Sequence, residues 1–150
     1  MSMMAGLVFR GEIPDTAALT QAMQELGFPI SVVPPHYSLE GKKGYRPMLL
    51  RGQESGAEFY LEDRGRDFMR QGLADFPDLL AKIDPSFDRA AYFVFGSRWD
   101  EVICGTCAAA ALAKLTNGTF WEDQYPSVLT VDEAITYAKE TLETPDPTLE

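Results

Sequence analysis

The fold follows from one apolar stretch of the chain, Trp99-Asp-Glu-Val-Ile-Cys-Gly-Thr-Cys-Ala-Ala-Ala-Ala-Leu-Ala-Lys-Leu-Thr116. As a helix it is apolar on nearly every side, which is typical of a helix buried at the centre of a domain. Ser97 and Asp100 form a Ser-x-x-Asp pattern that predicts a capping box at its start. Asn117-Gly118 predicts its end. The sequence therefore predicts one central buried helix over about 98–116.

Shorter strands and amphipathic helices are predicted on both sides of this helix. The apolar run 90–95 is typical of a central strand that is covered on both faces. Residues 52–56 predict the turn of a hairpin between strands at 47–51 and 57–62. The remaining inward positions are Leu19, Ala22, Met23 and Leu26 on a first helix and Val131, Ile135, Ala138 and Leu142 on a last helix.

The predicted elements follow one another in the order β-α-β-β-β-α(α)-β-α-β-β-α. This order predicts a single α+β domain over residues 1–143, in which helices pack on a largely antiparallel mixed sheet. Residues 144–150 carry two prolines and no periodicity, so they are predicted to form a flexible C-terminal tail.

The charge of the chain is strongly negative and unevenly distributed. The 150 residues have a formal net charge of −10, and residues 100–150 hold ten acids against two bases. Such a surface repels phosphates, so we expect neither nucleic acid nor an anionic membrane as a partner. No apolar run reaches the roughly 18–20 residues of a membrane span, and no signal peptide is evident. We expect a cytoplasmic protein with a basic protein partner.

One cysteine pair, Cys104-Gly-Thr-Cys107, has the spacing of a thioredoxin-type redox motif. Such a motif places its first thiol at a helix N-terminus, where the dipole favours the thiolate. Cys104 instead lies about two turns inside a helix that is predicted to start at Ser97. Burial and the neighbouring Asp100 and Glu101 would raise the pKa of a thiol there. Two buried cysteines that act as small hydrophobic residues are the favoured interpretation.

The sequence contains no specific metal, cofactor or catalytic motif. A structural zinc site needs four ligands, whereas the chain has two cysteines and a single histidine, His36. No serine or cysteine has a signature around it that would pair it with His36. Gly41-Lys-Lys-Gly44 lacks the spacing of a phosphate-binding loop. We therefore expect no metal, no cofactor and no catalytic residue.

Residues 34–46 form the longest stretch without periodicity, and this loop is locally basic. Long loops of compact domains often carry functional residues, which makes this one a candidate contact site for an acidic partner or an anionic ligand. A solvated loop is the alternative interpretation. Its candidate residues are His36, Tyr37, Lys42, Lys43, Tyr45 and Arg46.

The second candidate site is an acidic hairpin with strands at 119–121 and 128–130. Thr130-x-x-Glu133 predicts a capping box for the last helix, where acids of the first turn have a structural role. Acids beside aromatic side chains, in contrast, are typical of residues that anchor a protein interface. Aromatic side chains that pack inward are the alternative. The predicted partner-binding residues are Phe120, Trp121, Glu122, Asp123 and Tyr125.

From Phe93 to Trp121, and where the hairpin joins the last helix at Val128–Glu133, the chain resembles small acidic bacterial immunity proteins. The resemblance is one of size, acidity and mixed α+β architecture, and it transfers no functional residue. Those proteins neutralise cognate toxins, often by occluding a positively charged active site. The resemblance implies a non-catalytic acidic binding protein that neutralises a basic toxin domain.

Two other functions are compatible with the same residues. A small enzyme or ligand-binding domain would use the 34–46 loop and should show a closed pocket with convergent polar groups. A homodimeric structural or regulatory domain would pair through the aromatic hairpin and should have a symmetric interface. Reversing the charges of Glu122 and Asp123 slows association with a basic partner only if the hairpin lies in the interface.

Overall fold

The predicted order of strands and helices is also the order in the computed structural model, which describes residues 3–124 and 126–147. Within these residues there are seven strands and five helices. The strands are β1 (Met3–Phe9), β2 (Ile30–Val32), β3 (Gly44–Leu50), β4 (Gln53–Glu62), β5 (Arg89–Phe95), β6 (Thr119–Glu122) and β7 (Ser127–Leu129). The helices are α1 (Thr16–Glu25), α2 (Gly65–Gly72), α3 (Pro77–Leu80), α4 (Trp99–Thr116) and α5 (Val131–Glu143).

All the described strands belong to one sheet, in the order β2-β3-β4-β5-β1-β6-β7. Every neighbouring pair is antiparallel, which confirms the predicted α+β class with a largely antiparallel sheet. The apolar strand β5 is the fourth of the seven, the central position that its sequence predicts.

Helices cover the two faces of this sheet unequally. On one face α1, α4 and α5 pack over the larger core, which includes Phe9, Phe59 and Phe93. On the other face the short helices α2 and α3 pack over a smaller core around Val8 and Trp121. Among the described residues, this smaller core takes no member from β2, β3 or β4. One half of the second face is therefore left without a helical layer.

Helix α4 is the centre of the larger core. Twelve consecutive residues, Val102–Ala113, are buried, which confirms the predicted central helix and puts its limits at Trp99 and Thr116. Gly105 faces β5, since a Cβ atom there would lie 3.2 Å from the Cβ of Phe93. Small residues on this helix let its backbone approach the sheet closely at native packing density.

The start of α4 differs from the predicted capping box. Its N-cap residue is Arg98, which makes no side-chain capping hydrogen bond, and Ser97 is exposed. The Asp100 carboxylate is used elsewhere: Ser55 Oγ donates to its Oδ2 at 2.6 Å, and Arg98 Nη2 donates to the same oxygen at 3.0 Å. A tertiary contact with β4 has replaced the local contact with Ser97.

The first hairpin is tighter than predicted, because β3 starts at Gly44 and β4 at Gln53. Its turn is Arg51-Gly52, with φ values of 51° and 79°. Two successive positive φ values are the geometry of a type I′ turn, whose twist matches that of the flanking strands. The predicted turn at 52–56 is therefore wrong, and the loop predicted to end at 46 ends before Gly44.

The buried face of α1 is confirmed, whereas that of α5 is shifted along the helix. Leu19, Ala22 and Met23 are buried on α1, and Leu26 is half-buried. On α5 the buried residues are Ala134, Ala138 and Thr141, while the predicted Val131, Ile135 and Leu142 are half-buried. The shift follows from the contact with α4, where the Cys107 thiol lies 3.8 Å from the Ala138 carbonyl oxygen. Because α4 lies this close to α5, only small side chains fit on the face of α5 that contacts it.

The predicted capping box of α5 is confirmed and supports a first testable prediction. Thr130 Oγ1 accepts the Glu133 N–H at 3.2 Å, and the Glu133 carboxylate accepts the Thr130 N–H at 3.0 Å. Thr130→Ala should lower the free energy of unfolding by about 1 kcal/mol, measured by urea denaturation. Thr136→Ala on the exposed side of the same helix is the control and should be neutral or stabilising by up to about 0.7 kcal/mol, because alanine has the higher helix propensity. Equal losses in both variants would contradict a specific role of the cap.

Candidate functional site

The acidic hairpin does not form an exposed aromatic surface. Strand β6 lies between β1 and β7, so its side chains alternate between the two cores. Phe120 is fully buried and contacts Tyr137 of α5, with ring centroids 5.9 Å apart. Trp121 is 4% exposed and lies on the opposite face, against Phe68 of α2. The prediction that these aromatics anchor a partner is corrected, because both are core residues.

The two acids of the hairpin have structural roles. Glu122 is buried, and Ser127 Oγ donates to its carboxylate at 3.4 Å. Asp123 Oδ1 accepts the Met4 N–H at 2.7 Å, and the Asp123 N–H donates to the Met4 carbonyl at 3.1 Å. Tyr125 lies outside the described residues. Glu122→Lys and Asp123→Lys would thus disturb the hairpin itself, which makes them poor probes of an interface.

The candidate residues of the basic loop are divided between a loop and a strand. Tyr45 and Arg46 lie on β3, contrary to the prediction. Tyr37 packs against the larger core, and Lys42 Nζ and Arg46 Cζ lie 6.0 Å and 5.7 Å from the centroid of its ring. These are distances of cation–π contacts, so the loop is held to β3 by its own aromatic residue.

The other basic groups of the loop lie among acids. His36 Nε2 is 3.4 Å from the Asp15 carboxylate at the start of α1, with 73% of its side chain exposed. Lys42 and Lys43 border a shallow cleft in which Arg89 pairs with Glu40 at 2.8 Å. The acids of this cleft, Glu40 and Asp63, both pair with Arg89. The role of the loop in binding stays a prediction.

Cys104 and Cys107 are free thiols without exposed surface. Cys104 is the sixth residue of α4 and lies in its second turn, beyond the N-terminal turn where a thiolate would be favoured. Burial raises the pKa of Cys104 to about 11 and also raises the pKa of Cys107. Thiols with such pKa values carry almost no thiolate at neutral pH, so nothing here activates a nucleophile.

The most distinctive surface is the half of the sheet without a helical layer. Side chains alternate along strands, and the register pairs Tyr45 with Glu58, Leu49 with Glu54, and Tyr60 with Tyr92 of the smaller core. These residues therefore share one face, on the side away from α4. We name this surface the open face. Its residues are Tyr45, Pro47 and Leu49 of β3 and Glu54, Glu58, Tyr60 and Glu62 of β4.

The open face is acidic. Glu54 and Glu58 are exposed and Glu62 is half-buried, whereas the residues that define the face include no lysine or arginine. Two tyrosines hold the carboxylates in place: Tyr60 Oη donates to Glu58 at 3.1 Å, and Tyr92 Oη donates to Glu62 at 3.2 Å. The result is a row of negative charges along β4, and the one base whose charge acts on a residue of this face, Tyr45, is Arg98 at the start of α4.

The tyrosines of this row stay protonated over the physiological range. The hydrogen bond to Glu58 raises the pKa of Tyr60 above its ordinary value. Burial, followed by the charge of Glu62, raises the pKa of Tyr92 to about 12. Both hydroxyls are therefore protonated at neutral pH and donate to the neighbouring carboxylates.

An apolar groove continues the open face toward β2. It has a volume of about 330 Å³ and is lined by Val33, Tyr45, Pro47 and Leu49, with Glu54 and Ser55 at its side. Tyr45 is 47% exposed and Val33 is 37% exposed, which are high values for large apolar side chains. Acidic residues thus adjoin exposed aromatic and aliphatic ones on a single surface.

Sequence reasoning could have found part of this surface. The alternation of Glu58, Tyr60 and Glu62 with Phe59 and Leu61 predicts one buried and one wet face of the strand. It gives no sign that helices α2 and α3 stop short of that strand, because their placement over β5 and β7 is a tertiary property. The acids of the β6–β7 hairpin, in contrast, have structural roles in the hairpin itself.

No family model matches this chain. No curated protein and no solved structure is significantly similar to it either. In residues 3–124 and 126–147 there is no group of three or more His, Cys, Asp or Glu side chains placed to hold a metal ion. The helices of that part are also too short or too polar to cross a membrane. Function has to be argued from the surface of this protein itself.

Proposed function

We propose that this protein is a non-catalytic acidic binding protein that docks a basic protein partner on its open face. The observation that carries the proposal is the charge of that face, where Glu54, Glu58 and Glu62 follow one another along the same side of β4. A surface of one sign steers a partner of the opposite sign and rejects others. The net charge of −10 adds attraction at longer range.

The apolar groove supplies the apolar contact area that a stable interface needs in addition to charge. Stable interfaces have a desolvated apolar centre, enriched in aromatic side chains, inside a polar rim. Tyr45, Pro47 and Leu49 offer such a centre, and Glu54 and Glu58 lie at its border. Tyrosine suits this role because it buries a large area at a small cost in conformational entropy.

A toxin domain with a positively charged active site is the partner that we favour. The chain shares size, acidity and α+β architecture with bacterial immunity proteins, and a row of positioned carboxylates can occupy a site built for an anionic substrate. Neutralisation of such a toxin in the cytoplasm is the role we propose. Pairing of two copies through the open face is disfavoured, because a two-fold contact would bring its acids together.

The test is a binding experiment with charge reversal. The first candidate partner is the basic product of the gene immediately upstream, and the second is any basic protein that the immobilised chain captures from its host at low salt. Glu54→Lys/Glu58→Lys should slow association by at least about tenfold at low ionic strength, measured by surface plasmon resonance. The loss should shrink as salt is raised, because screening removes the attraction in the wild type as well.

A matched control is available on the opposite side of the molecule. Glu140→Lys/Glu143→Lys changes the net charge equally but lies on the exposed side of α5. Its association rate should stay within about threefold of the wild type, since steering depends mainly on charges near the interface. Equal slowing by both pairs would show that only net charge matters, and unchanged association of Glu54→Lys/Glu58→Lys would remove the open face from the interface.

A further inference from the structure

A glycine holds the aromatic wall of the groove on the open face in position. Gly56 of β4 lies opposite Pro47 of β3, so both belong to the open face. A Cβ atom at Gly56 would lie 2.8 Å from Cζ and from Oη of Tyr45. The tyrosine ring therefore lies across β4 over the glycine and does not extend freely into solvent. A side chain fixed in this way loses little conformational entropy when a partner binds.

The walls of the groove can be reached from solvent. Tyr45 and Leu49 precede and follow Pro47 by two residues on the same face of β3, each about 7 Å from it. Val33 borders the groove beyond β3, where its N–H donates to the Pro47 carbonyl at 3.0 Å. Tyr45 and Val33 are exposed, and Leu49 is half-buried. A side chain of another protein can therefore contact all of these groups.

One carboxylate at the groove has no partner in the described part of the chain. Glu54 lines the groove and is exposed, and its side chain makes no hydrogen bond or ion pair there. Arg98, whose charge reaches Tyr45, is itself paired with Asp100 at 3.0 Å and with Glu101 at 3.9 Å. The charge of Glu54 is thus available to a cation that arrives with the partner.

We propose that the groove binds one tryptophan side chain of the basic partner and that an arginine adjacent to this tryptophan pairs with Glu54. This inference rests on the proposed docking of a basic protein on the open face. The groove has a volume of about 330 Å³. An apolar cavity of about 150 Å³ in another protein takes benzene, so there is room here for the two rings of an indole.

The two side chains suit the two parts of the site. Tryptophan and arginine are the residues that most often dominate the affinity of protein interfaces. The indole ring would cover Tyr45, Pro47 and Leu49 as the apolar centre, and the guanidinium would form the polar border with a charge-assisted hydrogen bond to Glu54. An acidic residue in place of the arginine would be repelled by Glu54.

The experiment is a titration with four short peptides at about 0.15 M salt, followed in the ¹H–¹⁵N spectrum of the whole chain. The peptides are acetyl-Trp-Arg-amide, acetyl-Trp-Gln-amide, acetyl-Trp-Glu-amide and acetyl-Ala-Arg-amide. Trp-Arg should bind most tightly and should shift the amide signals of Val33, Leu49 and Glu54. Trp-Gln should bind about threefold more weakly, the loss of one exposed ion pair, and Trp-Glu more weakly still. Ala-Arg should bind at least about tenfold more weakly, because no ring is buried.

A pair of isosteric variants tests the role of the carboxylate. In Glu54→Gln the advantage of Trp-Arg over Trp-Gln should disappear. Glu58→Gln is the matched control, since it removes the same charge about 13 Å further along β4. That distance exceeds the screening length of about 8 Å at this salt concentration, so the advantage should persist. Both side chains are exposed, and neither change disturbs the core.

Three outcomes would overturn the proposal. One is an absence of shifts at Val33, Leu49 and Glu54 up to the solubility limit of the Trp-Arg peptide. The second is equal affinity for Trp-Arg and Ala-Arg, and the third is an unchanged advantage of Trp-Arg in Glu54→Gln.

The association experiment with Glu54→Lys/Glu58→Lys tests the proposed function separately. Slowed association there, together with an unmoved groove here, would contradict the tryptophan anchor and leave the open face as the interface. Peptide binding in the groove with unchanged association of the protein partner would contradict the proposed function instead.

Discussion

Gly6→Ala is expected to lower the free energy of unfolding by about 3 kcal/mol, the upper end of the usual cost of overpacking. Gly6 lies in β1, between β5 and β6, where the sheet has neighbours on both sides. A Cβ atom there would overlap the backbone carbonyl of Ala91 and lie 2.7 Å from the Cβ of Tyr92 and 2.9 Å from Trp121. Backbone atoms of a central strand cannot move aside without loss of ladder hydrogen bonds, so the overlap cannot be relaxed locally.

Urea denaturation followed by circular dichroism measures this loss. Gly72→Ala in α2 is the matched control, because a Cβ atom at Gly72 meets nothing within 4 Å. That control should be neutral or stabilising by up to about 1 kcal/mol, since alanine favours a helix over glycine. A Gly6→Ala protein as stable as Gly72→Ala would show that β1 and β5 lie further apart than the structure places them.

The second large effect is a loss of stability at alkaline pH that originates in the two buried thiols. Burial raises the pKa of Cys104 from an ordinary 9 to about 11 and raises that of Cys107 as well. The thiols therefore keep their protons in the folded protein at a pH where the unfolded chain has lost them. Their contribution is complete below about pH 9 and disappears as the pH rises through the folded values.

The size of this effect follows from the shift. One pKa unit corresponds to about 1.4 kcal/mol, so a rise from 9 to about 11 means that Cys104 alone should remove about 2 kcal/mol of stability by about pH 11. Urea midpoints measured from pH 8 upward should therefore fall steeply. Tyr92, whose pKa burial raises to about 12, shifts stability in the same direction at higher pH.

The control separates the cysteines from the tyrosine. Cys104→Ala/Cys107→Ala should be less stable at neutral pH, because two sulfur atoms leave small voids in the core. Its stability should nevertheless fall less steeply between about pH 9 and 11, since the thiols no longer titrate. Parallel pH curves for the variant and the wild type would show that the cysteines do not cause the alkaline loss.

Much of the fold could be predicted because it depends on local patterns. Apolar periodicity, Gly27 with its φ of 83° after α1, Asn117 with its φ of 54° after α4 and the capping box at Thr130 all act within a few residues of chain. Each of these local signals sets where a helix or strand starts or ends, independently of tertiary contacts. The order of all twelve elements was therefore readable, and most limits lie within a few residues of the prediction.

The sequence-based predictions are wrong where a residue forms its main contact with a partner that is distant in the sequence, and not with the local partner that the pattern indicates. Asp100 bonds to Ser55 of β4 and so does not cap α4 through Ser97. Tyr45 pairs with Glu58, which extends β3 into the predicted loop. Trp121 and Phe120 are drawn into two cores because β6 is an interior strand. In each case the competing partner lies far away in the sequence, and pattern analysis has no access to it.

By itself the sequence determined the fold class, the buried helix 99–116, the inert cysteines and the negative charge of the chain. These depend on composition and on spacing along a single element. Only the tertiary structure decided which acids and which apolar residues are left uncovered by a helix. Strand order sets both, because it brings Tyr45 beside Glu58 and leaves β3 and β4 beyond the reach of the short helices α2 and α3. For that reason the exposed acids beside exposed apolar side chains lie on the open face and not on the C-terminal hairpin.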